Sequence, residues 1–151
     1  MPANTEPIYT ITPHVESCTP VLVCAGTDGV GYVVSGGTVT HYIAFTPASN
    51  GSFIKEARIK IATTNGTTAV SATSIRFFIS TVASGATSSA NTKFITEVAI
   101  PAITPAIATS TPDFIVPLNF ALESGKYLLC CTGVVAATNT YYQVTTFGGD
   151  Y

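Results

Sequence analysis

The stretch Glu56–Ala57–Arg58–Ile59–Lys60–Ile61 settles the class of fold. Ala57, Ile59 and Ile61 fall on one side of an extended chain, and Glu56, Arg58 and Lys60 on the other. This is the period of two that a half-buried strand requires. Residues 74–80 repeat it, with Ile75, Phe77 and Ile79 opposite Ser74, Arg76 and Ser80; only Phe78 breaks the polar side. Upstream, Val39, His41, Ile43 and Phe45 share one face, and Thr38, Thr40, Tyr42 and Ala44 the other. Further strands are expected over 7–12, 20–25, 31–35, 94–100, 113–118, 126–132 and 141–147.

The punctuation agrees with strands. Asp28–Gly29, Asn50–Gly51 and Asn65–Gly66 are tight-turn dipeptides that tolerate positive φ, and Ser124–Gly125 reads as another turn. No stretch holds a helical period for three turns, and the run 84–89 of Ser, Gly, Ala and Thr reads as a loop. The expected fold is all-β, an antiparallel β-sandwich or jelly roll of about eight to ten strands with an extended N-terminal arm.

Composition narrows the class further. Only 9% of the 151 residues are charged, against about 25% in ordinary globular domains. Threonine fills much of the gap with 25 residues, beside 12 Ser, 12 Gly and 9 Pro. An apolar share of 46% excludes a disordered chain. The scarcity of Glu, Lys and Arg excludes coiled coils and helical bundles. A net charge of −2 with six scattered cations leaves no footprint for nucleic acid. The first residues show no basic region followed by an apolar run, so no secretory signal is expected. The charge-free stretches 29–54 and 127–149 are interrupted by polar residues, Gly and Pro, so neither is expected to cross a membrane.

Two segments depart from the strand pattern. Pro2, Pro7 and Pro13 mark residues 1–17 as an extended arm, leaving 18–151 as one sandwich domain. Four prolines in 101–117 mark a stiff crossover that hugs the sandwich.

The candidate sites are few. His14, Glu16 and Cys18 would align on one face if they formed a strand, but the flanking prolines and the lack of a second cluster point to a polar arm and not a metal site. His41 lies on an apolar-patterned face, the place of a core or interface histidine, and no nucleophile motif accompanies it. The carboxylates fall on turns, the arm or solvent faces, so paired-carboxylate hydrolysis is not expected. The glycine-rich stretch 26–31 lacks the order of a phosphate-binding loop and reads as a hairpin turn. The Asn–Gly–Ser/Thr sequons at Asn50 and Asn65 are explained by the same turns. Cys130 and Cys131 adjoin in a strand-like run and so point to opposite faces. With Cys18 and Cys24 they read as buried free thiols, with one bridge from Cys18 or Cys24 to the C-terminal pair as the alternative. Tyr141 and Tyr142 adjoin on a strand, and Tyr32 and Tyr42 are candidates for partial exposure. These four read as core or subunit-contact tyrosines before they read as a sugar platform. No enzyme activity, cofactor or metal is expected.

Several segments carry a resemblance. They are Asn50–Gly51–Ser52–Phe53 before an alternating strand, 75–80 as IRFFIS, 91–101 as NTKFITEVAIP, 117–126 as PLNFALESGK with the following strand, and the terminal FGGDY at 147–151. Together they are similar to small β-sandwich structural proteins of tailed bacteriophage virions, those that decorate capsids or build fibres. The similarity covers about residues 38–151 and rests on packing and turn signatures. It implies a virion protein made in the host cytoplasm, of the capsid decoration or cement type, with a tail, baseplate or fibre part as the alternative. It also implies a homo-oligomer, a trimer by expectation, bound to the major capsid protein or another virion protein, with no membrane or nucleic-acid partner. Pro7, Ile8, Tyr9 and Pro13 would form the docking arm, and Tyr32, Tyr42, Tyr141 and Tyr142 the subunit contacts. A carbohydrate-binding module is the reading of a different class. The charge-free stretches, and not the charged strand faces, are expected to carry the contacts between copies.

Overall fold

A computed structural model describes residues 10–20, 42–64, 68–83, 91–105, 110–134 and 136–151. Eight strands and no helix occur among them: β1 (Thr12–Cys18), β2 (Tyr42–Phe45), β3 (Ser52–Thr63), β4 (Thr73–Ser80), β5 (Thr92–Ile100), β6 (Phe114–Leu122), β7 (Tyr127–Thr132) and β8 (Thr140–Asp150). They form two antiparallel sheets of four, in the orders β1-β8-β3-β6 and β2-β7-β4-β5. The expected all-β sandwich is therefore the architecture. The strands expected at 20–25 and 31–35, and His41, lie outside the described residues.

The pairings follow one rule. β1 pairs with β8, β2 with β7, β3 with β6 and β4 with β5, each antiparallel. The first four strands thus run back along the last four in reverse order, as in one long hairpin folded over into two layers.

The alternation read from residues 56–61 holds in the structure. Ala57, Ile59 and Ile61 are buried between the sheets with Ile54, Ile75, Phe77, Leu128, Cys130 and Val144, while Arg58 and Lys60 are exposed. Burying one such side chain fully contributes about 1.5–3 kcal/mol. On the outer faces the charges pair: Arg58 with Glu56 at 2.8 Å, and Arg76 with Glu97 at 2.9 Å. Phe78 has a physical reason for breaking the polar side of β4. With Leu129 and Cys131 it forms a second buried cluster on the other face of the second sheet, so the centre of that sheet is buried on both faces.

Both prolines found in strands sit where a missing N–H is tolerated. Pro13 lies in β1 and Pro117 in β6, the two edges of the first sheet. This corrects the expected arm: residues 12–17 are an edge strand hydrogen-bonded to β8, because the reach of Pro13 toward solvent removes the objection to pairing. Residues 1–9 lie outside the described residues.

The segments singled out in the resemblance mark irregular backbone. Gly51 (φ 86°) and Gly125 (φ 79°) make the turns before β3 and β7. Asn119 (φ 51°) supplies the extra residue of a bulge, where Ile54 pairs with Phe120 but Glu56 with Pro117. Gly148 is required by close approach, since a Cβ there would run into the Phe53 carbonyl oxygen and the Phe45 ring.

Candidate functional site

Among the described residues, a polar cluster lies at one end of the first sheet, where β1, β3 and β8 meet the segment after β2. Alternation in β1 turns His14, Glu16 and Cys18 to the half-buried side and leaves Pro13, Val15 and Ser17 exposed. Register places His14 opposite Gly148 and Thr12 opposite Asp150 on β8, while Ser52 of β3 also pairs with Asp150. These residues converge although 136 positions separate His14 from Asp150.

The imidazole bridges two carboxylates. His14 Nδ1 lies 2.8 Å from Asp150 Oδ1, and Nε2 lies 3.3 Å from Glu16 Oε1. Both nitrogens donate only in the imidazolium form. Ser52 Oγ donates to Asp150 Oδ1 at 2.5 Å and accepts the Ala48 N–H at 3.0 Å. Glu16 Oε2 accepts the Thr46 N–H at 2.7 Å. The His14 ring packs against Phe45, centroids 4.3 Å apart.

The electrostatics follow from this geometry. Partial burial pulls His14 down, but the hydrogen bond and charge of Asp150, with the weaker ones of Glu16, more than offset it and hold the imidazole above its ordinary 6.5. Partial burial pushes Asp150 up, but the Ser52 hydroxyl, His14 and the Ala48 N–H hold it below its ordinary value. Each partner stabilises the charged form of the other.

This arrangement ties strands together and does not activate a nucleophile. A serine nucleophile needs an imidazole nitrogen free to take its proton. Here Ser52 donates to a carboxylate, is fully buried, and both nitrogens of His14 face carboxylates. Among the described residues no group of three or more His, Cys, Asp or Glu side chains is placed to hold a metal ion.

A second cluster holds sulfur. Cys18 Sγ of β1 lies 3.3 Å from Cys130 Sγ of β7, and both are free thiols. Burial first, and the adjacent Cys18 second, push the Cys130 thiol well above its ordinary range. Cys131 points to the opposite face and is disulfide-bonded. This corrects the reading of four free thiols and agrees with the alternative of one bridge to the C-terminal pair; Cys24 lies outside the described residues.

The tyrosines separate on inspection. Tyr142 is only 2% exposed, with its hydroxyl donating to the Ser71 carbonyl at 3.4 Å. It is a core residue and is withdrawn as a subunit contact, because β8 turns it inward beside Val144. Tyr42 is half-buried and packs against the same core. Tyr141 is half-buried on the outer face of the first sheet. Of the proposed docking arm, Pro13 is in β1; Pro7, Ile8, Tyr9 and also Tyr32 lie outside the described residues. Of the charge-free stretches expected to carry contacts between copies, β7 is buried within the chain except at Tyr127, Val134 beyond it is exposed, and residues 29–41 lie outside the described residues.

Sequence reading isolated His14 and Glu16 but missed Asp150 and Ser52. Nothing in a linear pattern signals that a C-terminal aspartate faces residue 14. Comparison of the chain with protein-family models, with curated proteins and with solved structures found no match.

Proposed function

We propose that this chain is a structural protein of a tailed-bacteriophage virion, a capsid decoration or cement protein that binds the assembled shell as a homotrimer. The observation that carries the reading is the winding. The eight described strands pair first with last in two sheets of four, a winding that supports reading the sandwich as a jelly roll, an architecture used by viral capsid and lectin domains. The resemblance of residues 38–151 to small virion sandwiches points the same way. A protein that binds only the assembled shell stabilises it by mass action. The candidate cluster then serves as internal bracing that holds the edge strand in place.

The test is to count copies of the chain in purified particles by quantitative mass spectrometry, together with binding of the isolated protein to expanded shells. Hundreds of copies and near-stoichiometric binding are expected. A few dozen copies or fewer, with no affinity for empty heads, would move the protein to the tail, baseplate or fibre. A stable monomer with no affinity for any virion part overturns the proposal. The same winding serves lectin domains, and Tyr141 is the one tyrosine of the candidate pair left on an outer face. Glycan binding abolished by Tyr141→Ala in a folded protein would establish that second reading.

A further inference from the structure

We propose that Cys18 and Cys130 form an oxidisable thiol pair, a modification site at which a disulfide closes between the two sheets. Cys18 ends β1 in the first sheet, and Cys130 lies in β7, flanked by β2 and β4 in the second. Alternation turns both side chains into the space between the sheets. The sulfurs are 3.3 Å apart, and an S–S bond is about 2.05 Å. An approach of about 1.2 Å separates the two states. Cys131 faces the other way and is already bonded, so it does not compete for the pair.

Exposure sets the order of events. Cys18 is half-buried and Cys130 has no exposed surface. A small oxidant therefore meets Cys18 first, and Cys130 is shielded from it. Oxidised glutathione is a sufficient co-reactant. The Cys18 thiolate attacks one glutathione sulfur, and the departing glutathione thiolate takes up the proton that Cys18 released. Cys130 then attacks the Cys18 sulfur in the mixed disulfide, and its proton leaves with the second glutathione. Two protein thiols and one glutathione disulfide become one protein disulfide and two glutathione thiols. Two electrons pass to the small disulfide.

The consequence is mechanical. β1 is an edge strand whose ladder is formed with β8. The new bond would fasten its far end directly to the second sheet and close a loop between residues 112 positions apart. Cross-links of this span restrict the unfolded chain strongly. The proposal stands independently of the virion reading.

The test starts from protein purified with both thiols reduced and exposed to oxidised glutathione. The expected result is a loss of two thiols per chain under denaturing conditions, a mass lower by about 2 Da, and a Tm raised by about 10 °C. Cys18→Ser, with Cys18→Ala as the alternate should the serine variant not fold, is expected to keep the Cys130 thiol and show no rise in Tm. Survival of both thiols overturns the proposal. So does one glutathione retained at Cys18, or thiol loss that appears as cross-linked dimers on a non-reducing gel.

Discussion

Replacing His14 by alanine gives the sharpest test of the bracing at the end of the first sheet. The substitution removes the 2.8 Å bond to Asp150, the 3.3 Å contact with Glu16 and the ring packed on Phe45. A hydrogen bond to a charged partner contributes about 1.5–3 kcal/mol. His14 and Asp150 each retain 22% side-chain exposure, so solvent screens the pair and the low end applies. Lost ring packing adds about 1 kcal/mol. The total, about 2–3 kcal/mol near pH 5.5, corresponds to a fall in Tm of roughly 4–12 °C for a domain of this size. The pH dependence is more diagnostic than the size. The folded state holds His14 above its ordinary 6.5. Its charge therefore contributes fully below about pH 6.5 and is lost as pH rises through the folded value. Asp150 is held below its ordinary 3.8. Its contribution is present above about pH 3.8 and is lost as pH falls through its folded value. Both act together between these limits. Thermal melts of the wild type and His14→Ala from pH 4.5 to 9 should show the gap widest at mildly acid pH and reduced to about 1 kcal/mol at pH 9. A gap that is constant with pH, or widest at pH 9, refutes the imidazolium bridge.

Two further outcomes test the packing. Gly148→Ala drives a methyl group against the Phe53 carbonyl oxygen and to 3.3 Å from the Phe45 ring. It should lower stability by about 3 kcal/mol, read as a Tm loss of roughly 6–12 °C. Ile59→Ala empties a fully buried site at the centre of the sandwich. It should cost about 3–4 kcal/mol, seen as a lower urea midpoint with an unchanged m-value.

Seven of the eight described strands are legible because each carries its own pattern; β1 is not. β3 and β4 announce themselves by alternation, and Gly51 and Gly125 by the turns they make. The misreadings have a common physical origin. Pro13, with Pro2 and Pro7, marks an extended arm in the sequence, whereas an edge strand accommodates it, and edge status is a property of the sheet order. For Tyr142 the sequence leaves core and subunit contact open, and only the packing of β8 decides for the core; the absence of charge in β7 likewise reflects burial inside the chain. Phe78 broke the alternation because its face of the sheet is covered. The bracing cluster was half visible: His14 and Glu16 stand two apart in β1, but Asp150 and Ser52 reach them only through pairing across most of the chain.

The first-with-last pairing also dictates when the molecule can fold. β8 lies between β1 and β3, so the first sheet has a gap at its centre until residues 140–150 are available. β1, the earliest described strand to leave the ribosome, has no ladder partner until then. The second sheet is complete one strand sooner, with β7. Completion of the first sheet therefore waits for β8 and is governed by contacts between strands far apart in sequence. Such long-range closure places folding on the slow, millisecond-to-second side of the range for small domains. During that interval the apolar side of β3 lacks its neighbour, and Lys55, Glu56, Arg58 and Lys60 on the same strand act as gatekeepers against its pairing with another copy.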